Sequence, residues 1–224
     1  MRSFSTFLAK ITASPIGIRV VPFVVFILLT ALQGTSGQRR FWIYGAKTLV
    51  GAWMIWVARP HIPEMRWRLS LEAIVVGIGI FVLWVGLDPF YPKFTSLEKP
   101  WNPFAQFGQG SGFAWAFVAV RLVGSAVIVP PLEEVFYRSF LYRYLASPDF
   151  EKAPLHKLNW IPFLVCAAIF GFGHYQWLAG IVCGLAYQGL VIRKGRLGDA
   201  MTAHAVTNAL LGVWVVWRGV WQFW

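Results

Sequence analysis

Residues 130–138 read Pro130-Pro131-Leu132-Glu133-Glu134-Val135-Phe136-Tyr137-Arg138, directly after an apolar run, Phe113 to Val129, that is nearly long enough to cross a bilayer. The chain has nine acidic residues, and two of them stand side by side here. An ionisable side chain next to or inside a hydrocarbon layer is expensive, which makes it a functional-site hypothesis by default. The plain alternative is a helix that has emerged into water and is simply charged.

Working outward, the 224 residues are 58% hydrophobic and only 13% charged, where a soluble domain carries about 25% charged residues. The apolar excess falls in runs of about 15 to 20 residues, the length of a membrane-crossing helix. The composition therefore excludes an ordinary soluble domain and indicates an integral membrane protein. The net charge of +11 does not point to nucleic acid, because the basic residues cluster between apolar runs, as the positive-inside rule expects. Thirteen Trp and seven Tyr, many near run ends, fit an interfacial aromatic belt. Cys166 and Cys183 lie inside apolar runs and read as small buried hydrophobes.

Taken in order, Arg2 and Lys10 form a basic lead. The expected spans are Pro15 to Gln33, Phe41 to Ala58, Ser70 to Leu87, Phe113 to Val129, Leu158 to Gly173, Trp177 to Ile192 and Asp199 to Trp217. The first is read as a retained span, longer than a signal-peptide core. Lys47, inside the second, either snorkels to an interface or faces the bundle interior. Arg121 sits inside the fourth. The Pro130-Pro131 pair is expected to break the helix, with a new one starting near Leu132 and running to about Tyr144. Gly180 and Gly184 have the GxxxG spacing that lets a neighbouring helix approach closely. The fold class is all-α, a polytopic membrane bundle of about seven to eight helices. It forms one integral domain over 1–224, with accessory spans in 1–112 and a motif-bearing core in 113–217. The basic loops, Arg59 to Arg68, Arg138 to Lys157 and Arg193 to Arg196, share a side with the lead if the glutamate helix dips without crossing. Arg39 and Arg40 oppose that arrangement. If the glutamate helix crosses, there are eight spans and the C-terminus moves inside.

Helix geometry sorts the glutamates. Glu134 and Arg138 are four apart and are natural ion-pair partners. Glu133 points about 100° away from Glu134, which leaves it free for chemistry. His61 and His156 fall in polar loops, whereas His174 and His204 lie at or inside apolar spans. His204 and Asn208, four apart, project to one face, where an imidazole and a carboxamide can donate to an oxyanion. Alternatively, two imidazoles and a carboxylate are ordinary zinc ligands. There is no H-E-x-x-H pair, no G-x-S-x-G elbow around Ser111 and no phosphate-binding loop.

Glu133-Glu134-x-x-x-Arg138, Phe170-x-x-x-His174 and His204-x-x-x-Asn208 resemble, in order, the three motifs of the CPBP family, which contains the type II CAAX prenyl endopeptidases and bacterial relatives also called Abi proteins. The resemblance covers roughly the C-terminal half and implies peptide-bond hydrolysis within a membrane. It implies that Glu133 activates water with His174, that His204 and Asn208 stabilise the oxyanion, and that Glu134 and Arg138 support the first glutamate. It also implies a choice between a metal-free mechanism and one with zinc on Glu133, His174 and His204. The aromatic-rich N-terminal half is similar to members associated with exosortase systems, which would make a sorting system a partner beside a membrane-associated protein substrate and the lipid bilayer. The implied location is a bacterial inner membrane. Ser139 stands where many members have glycine. The competing classes are a non-catalytic protein of the same fold, such as a bacteriocin self-immunity factor or sorting scaffold, and a proton-coupled transporter. The latter is disfavoured by the absence of a visible internal repeat.

Overall fold

A computed structural model describes residues 9–34, 37–93 and 100–224; Arg2 of the basic lead lies outside them. The described residues contain no strand. The helices are α1 (Pro15–Gln33), α2 (Arg39–Ala58), α3 (Leu71–Leu87), a short α4 (Pro103–Phe107), α5 (Gly112–Ala146), α6 (Trp160–Phe172), α7 (Trp177–Lys194) and α8 (Gly198–Arg218). Their ends follow local chemistry. Ser14 caps α1 by accepting from Gly17 N at 3.0 Å, with Pro15 in the first helical position. Ser70 caps α3 through Ala73 N. Gly195 and Gly219 close α7 and α8 in the left-handed conformation that glycine adopts without strain.

Among the described residues, five stretches are long and apolar enough to cross a membrane: α1, Arg39–His61, Leu71–Phe90, α5 and α8. This is fewer than the seven spans expected from sequence. The 13 residues of α6 rise only about 20 Å, against a hydrocarbon core of about 30 Å. In α7, Gln188, Arg193 and Lys194 dilute the apolar composition. Leu49, Trp56, Ile78, Val82, Ile161 and Val213 are exposed on the outside of the bundle, as lipid-facing side chains would be. The chain is a multi-pass integral membrane protein of helical-bundle architecture.

The main correction concerns the prolines. The chain does not break at Pro130-Pro131; Gly112–Ala146 is one continuous helix of 35 residues. Gly124–Ile128 is a π turn, in which Val129 N–H donates to Gly124 O instead of to Ser125 O. Widening the helix just ahead of the pair relieves the clash that a prolyl ring makes with the preceding turn. A second π stretch spans Val135–Leu141.

Neighbouring helices fit through small residues. A side chain on Gly180 or Gly184 would meet the backbone of Gly171 or Ala167 at 2.9 Å, so α6 and α7 pack in contact along the expected GxxxG spacing. α8 packs on α3, and α5 runs between α8 and the α1–α2 pair.

Polar contacts fix the ends of the bundle. At one end, Glu64 joins Arg19 at 2.9 Å and Arg143 at 2.7 Å. Ser139, fully buried, donates to Glu64 Oε1 and accepts from Arg19 Nε and Arg143 Nη2. The Ser139 hydroxyl, at the position where many CPBP members have glycine, therefore stitches α1, α5 and the 62–70 loop together. Ser70 donates to Asp199, and Arg193 pairs with Glu72. The three basic loops thus meet at one end of the bundle, as the one-sided reading of their charge required, although the glutamate segment is part of α5 and not a separate dipping helix. Arg40, which opposed it, is buried at the other end, where it donates to Pro100 O and lines an internal cavity. It is not a loop charge.

Candidate active site

The helix carrying the two glutamates presents them differently. Glu134 is fully buried, with Oε2 3.2 Å from Arg138 Nε and Oε1 3.0 Å from His204 Nδ1. Arg138 is also buried. Its guanidinium lies over the Phe170 ring at 4.4 Å, a cation–π contact that takes the place of solvent. Glu133, the next residue, lines a cavity of about 510 Å³, and its Oε2 has no hydrogen-bond partner. The π stretch after Glu134 does not disturb the four-residue pairing with Arg138 read from the sequence.

His174 follows the end of α6, where the turn at Gly173 returns the chain towards α7. Its Nδ1 donates to Phe170 O at 2.7 Å. With that proton committed, Nε2 of the neutral ring carries a lone pair. Trp84 meets the imidazole edge-on at 5.6 Å, and Phe170 lies 4.7 Å away on another side. His204, on α8, is buried between Glu134 and Tyr187, whose ring is 5.2 Å away. Its Nε2 is 3.9 Å from Glu133 Oε2. Tyr187 donates to Thr207 Oγ1, which in turn donates towards the carbonyls of Gly77 and Ala203, so the ring against His204 is itself fixed.

Asn208 owes its position to the prolines. The Ser125 carbonyl would normally accept from the N–H four residues on, but the π turn diverts Val129 to Gly124. Five residues on stands Pro130, which has no N–H. The orphaned carbonyl accepts Asn208 Nδ2 at 2.8 Å. A buried backbone acceptor needs a partner, and here the partner is a motif residue from another helix.

Glu133, His174, His204 and Asn208 all line the one cavity, while Glu134 and Arg138 stand behind it. Sequence reasoning missed Tyr187, Thr207, Trp84, the Ser125 carbonyl and the central place of the Phe170 ring. Only Phe170 carried a signal, as the first residue of a motif. Among the described residues, no three His, Cys, Asp or Glu side chains gather closely enough to hold a metal ion. Glu133, His174 and His204, the set that could hold zinc, line the same cavity.

Residues 112–210 match the model of the family described as type II CAAX prenyl endopeptidase Rce1-like. The match covers 99 of the 224 residues. This segment begins at the first residue of α5, ends within α8 and contains all three motifs. No curated protein and no solved structure matches the chain. The matched family is one of CAAX prenyl endopeptidases, and Lys47, Trp84 and the other lining residues from α1 to α3 lie outside the matched segment.

Proposed function

We propose that the protein is an intramembrane endopeptidase of a bacterial inner membrane that hydrolyses a peptide bond of a membrane-associated protein using water and side chains alone. The observation that carries this reading is the split between the two glutamates: Glu134 is fully buried in an Arg–Glu–His chain, and Glu133 lines the cavity.

Glu133 removes a proton from a water that His174 Nε2 orients. The resulting hydroxide attacks the carbonyl carbon, and the carbonyl oxygen becomes an oxyanion. Asn208 keeps one N–H beyond the one held by Ser125 O and donates it to that oxygen. His204 donates from Nε2 when the ring carries both protons; Glu134 at 3.0 Å and Glu133 at 3.9 Å supply the countercharge. Glu133 then returns its proton to the departing nitrogen and the C–N bond breaks. No covalent enzyme intermediate forms. Anchoring Asn208 and His204 before substrate binds avoids reorganising dipoles during the reaction, which is how such sites accelerate acyl transfer.

The test uses purified full-length protein and an internally quenched membrane peptide, assayed before and after prolonged chelation with metal content measured in parallel. Cleavage that survives chelation and is lost in Glu133→Gln is the expected result. One zinc per chain, with activity removed by chelation and restored by zinc, would overturn the metal-free mechanism.

A further inference from the structure

The cavity that holds the reacting groups is unevenly charged. Among the described residues its lining includes the cations Arg40, Lys47 and Arg121, and one carboxylate, Glu133. Lys47 is buried on α2; its Nζ donates to Thr30 Oγ1 at 3.0 Å and, among the described residues, pairs with no carboxylate, with the Tyr44 and Phe26 rings 4.6 and 4.9 Å away. Arg121 lies over Tyr44 at 4.7 Å, Trp101 at 4.8 Å and Trp224 at 5.6 Å. Its buried Nε has no hydrogen-bond partner. Three rings hold the guanidinium in place without using its donors.

A buried cation without a counter-ion is costly, and an oxyanion that meets Arg with a second cation is held by charge-assisted hydrogen bonds. The two cations are also placed usefully. Arg121 is one helical turn, about 6 Å of rise, before Ser125, whose carbonyl anchors Asn208. An extended peptide advances about 3.3–3.6 Å per residue, so a peptide with its carbonyl at Asn208 reaches Arg121 within a few residues.

We propose that Arg121 and Lys47 form a carboxylate-binding subsite of the cavity, which receives a carboxylate of the peptide substrate a few residues from the bond that is cut. This rests on the protease reading for the word substrate. The subsite itself is a binding claim, and Lys47 lies outside the Rce1-like segment.

The probe is an N-palmitoylated, fluorophore-labelled peptide of ten Ala and Leu residues in three forms. One has a free C-terminus and no acidic residue, one is amidated with a single Glu, and one is amidated with none. Binding to the full chain in detergent micelles is measured with Glu133→Gln, which prevents turnover. One or both carboxylate peptides should bind about tenfold tighter than the neutral one, and which one does identifies the carboxylate as terminal or side-chain. Arg121→Gln and Lys47→Met should each shrink that preference while leaving the neutral peptide's affinity in place. Equal affinity for all three peptides overturns the proposal, and this comparison needs no further variant to fold. A preference that survives in the double variant Arg121→Gln, Lys47→Met also overturns it. So does Arg121-dependent binding of phosphatidylglycerol without any carboxylate preference, which would assign the cations to a lipid phosphate. Hydrolysis by the wild-type chain is scored separately. Carboxylate preference without cleavage would count against the protease reading and leave the subsite standing.

Discussion

Glu133 and Glu134 face opposite nitrogens of one imidazole: Glu134 Oε1 lies 3.0 Å from His204 Nδ1, and Glu133 Oε2 lies 3.9 Å from Nε2 of the same ring. Adjacent residues of one helix thereby act on one histidine from both sides. One carboxylate is neutralised by Arg138, and the other is turned to the cavity.

The contrast should separate stability from activity. Glu134→Ala leaves Arg138 buried and unpaired, a loss of about 3–5 kcal/mol. Glu133→Ala removes a cavity-lining side chain whose Oε2 makes no hydrogen bond, and its stability should be close to wild type. Both variants should lack activity. Chemical denaturation in detergent measures the difference, and equal destabilisation of the two would refute this division of roles.

Pro130→Ala should impair the reaction without weakening the fold. The substitution returns an N–H five residues after Ser125, where it competes with Asn208 for the carbonyl. We expect kcat to fall by about tenfold, less than the roughly 10²-fold or greater loss on deleting an oxyanion donor outright, with the melting temperature unchanged or raised. Wild-type kcat in this variant would show that the anchor of Asn208 does not depend on the missing proline donor.

The clasp at Glu64 should make the protein acid-sensitive. Burial alone would raise the Glu64 carboxyl, but the Ser139 hydrogen bond, Arg19, a backbone N–H and Arg143 together leave it below its ordinary value of 4.5. A depressed carboxyl contributes stability that is complete above the unfolded value and is lost as pH falls through the folded one. Melting temperature should therefore hold down to about pH 4.5 and decline below it. Glu64→Gln should melt lower at neutral pH and show a shallower acid decline. Parallel acid limbs for the two proteins would show that another group governs the transition.

Topology can be read with single cysteines. Arg193 to Arg196 shares an end with Glu64, Glu72 and Arg143, and the positive-inside rule puts that end in the cytoplasm. Cysteines placed there, in a background lacking Cys166 and Cys183, should resist an impermeant thiol reagent in intact cells. Rapid labelling from outside would reverse the orientation.

Helical class, most helix limits and the pairing of Glu134 with Arg138 were legible in the sequence, because apolar run length and four-residue spacing are local properties. The cap residues Ser14 and Ser70 lay at the run edges where they belong. The reading of Pro130-Pro131 failed for a physical reason. A proline breaks an α-helix, but a π turn ahead of it absorbs the ring, and no pattern of hydrophobicity announces a π turn. The same hidden turn explains why Asn208 could be placed on a face but not tied to Ser125. Arg40 misled as a loop charge because burial, not sequence position, decides what a cation does. Tyr187, Thr207 and Trp84 were silent, since aromatic and hydroxyl residues in apolar runs look alike until the helices are packed.

The π turn at Gly124–Ile128 also sets what kind of change this helix tolerates over descent. It holds one residue more than an α-helical turn and takes that residue up locally, so the two halves of the helix stay nearly in register. Deleting a single residue there would relax the turn to ordinary helix and leave Glu133 and Arg138 facing nearly the same way, whereas a deletion in the regular helix on either side would turn everything beyond it by about 100°. Lineages of this chain should therefore confine changes of length in this helix to residues 124–128.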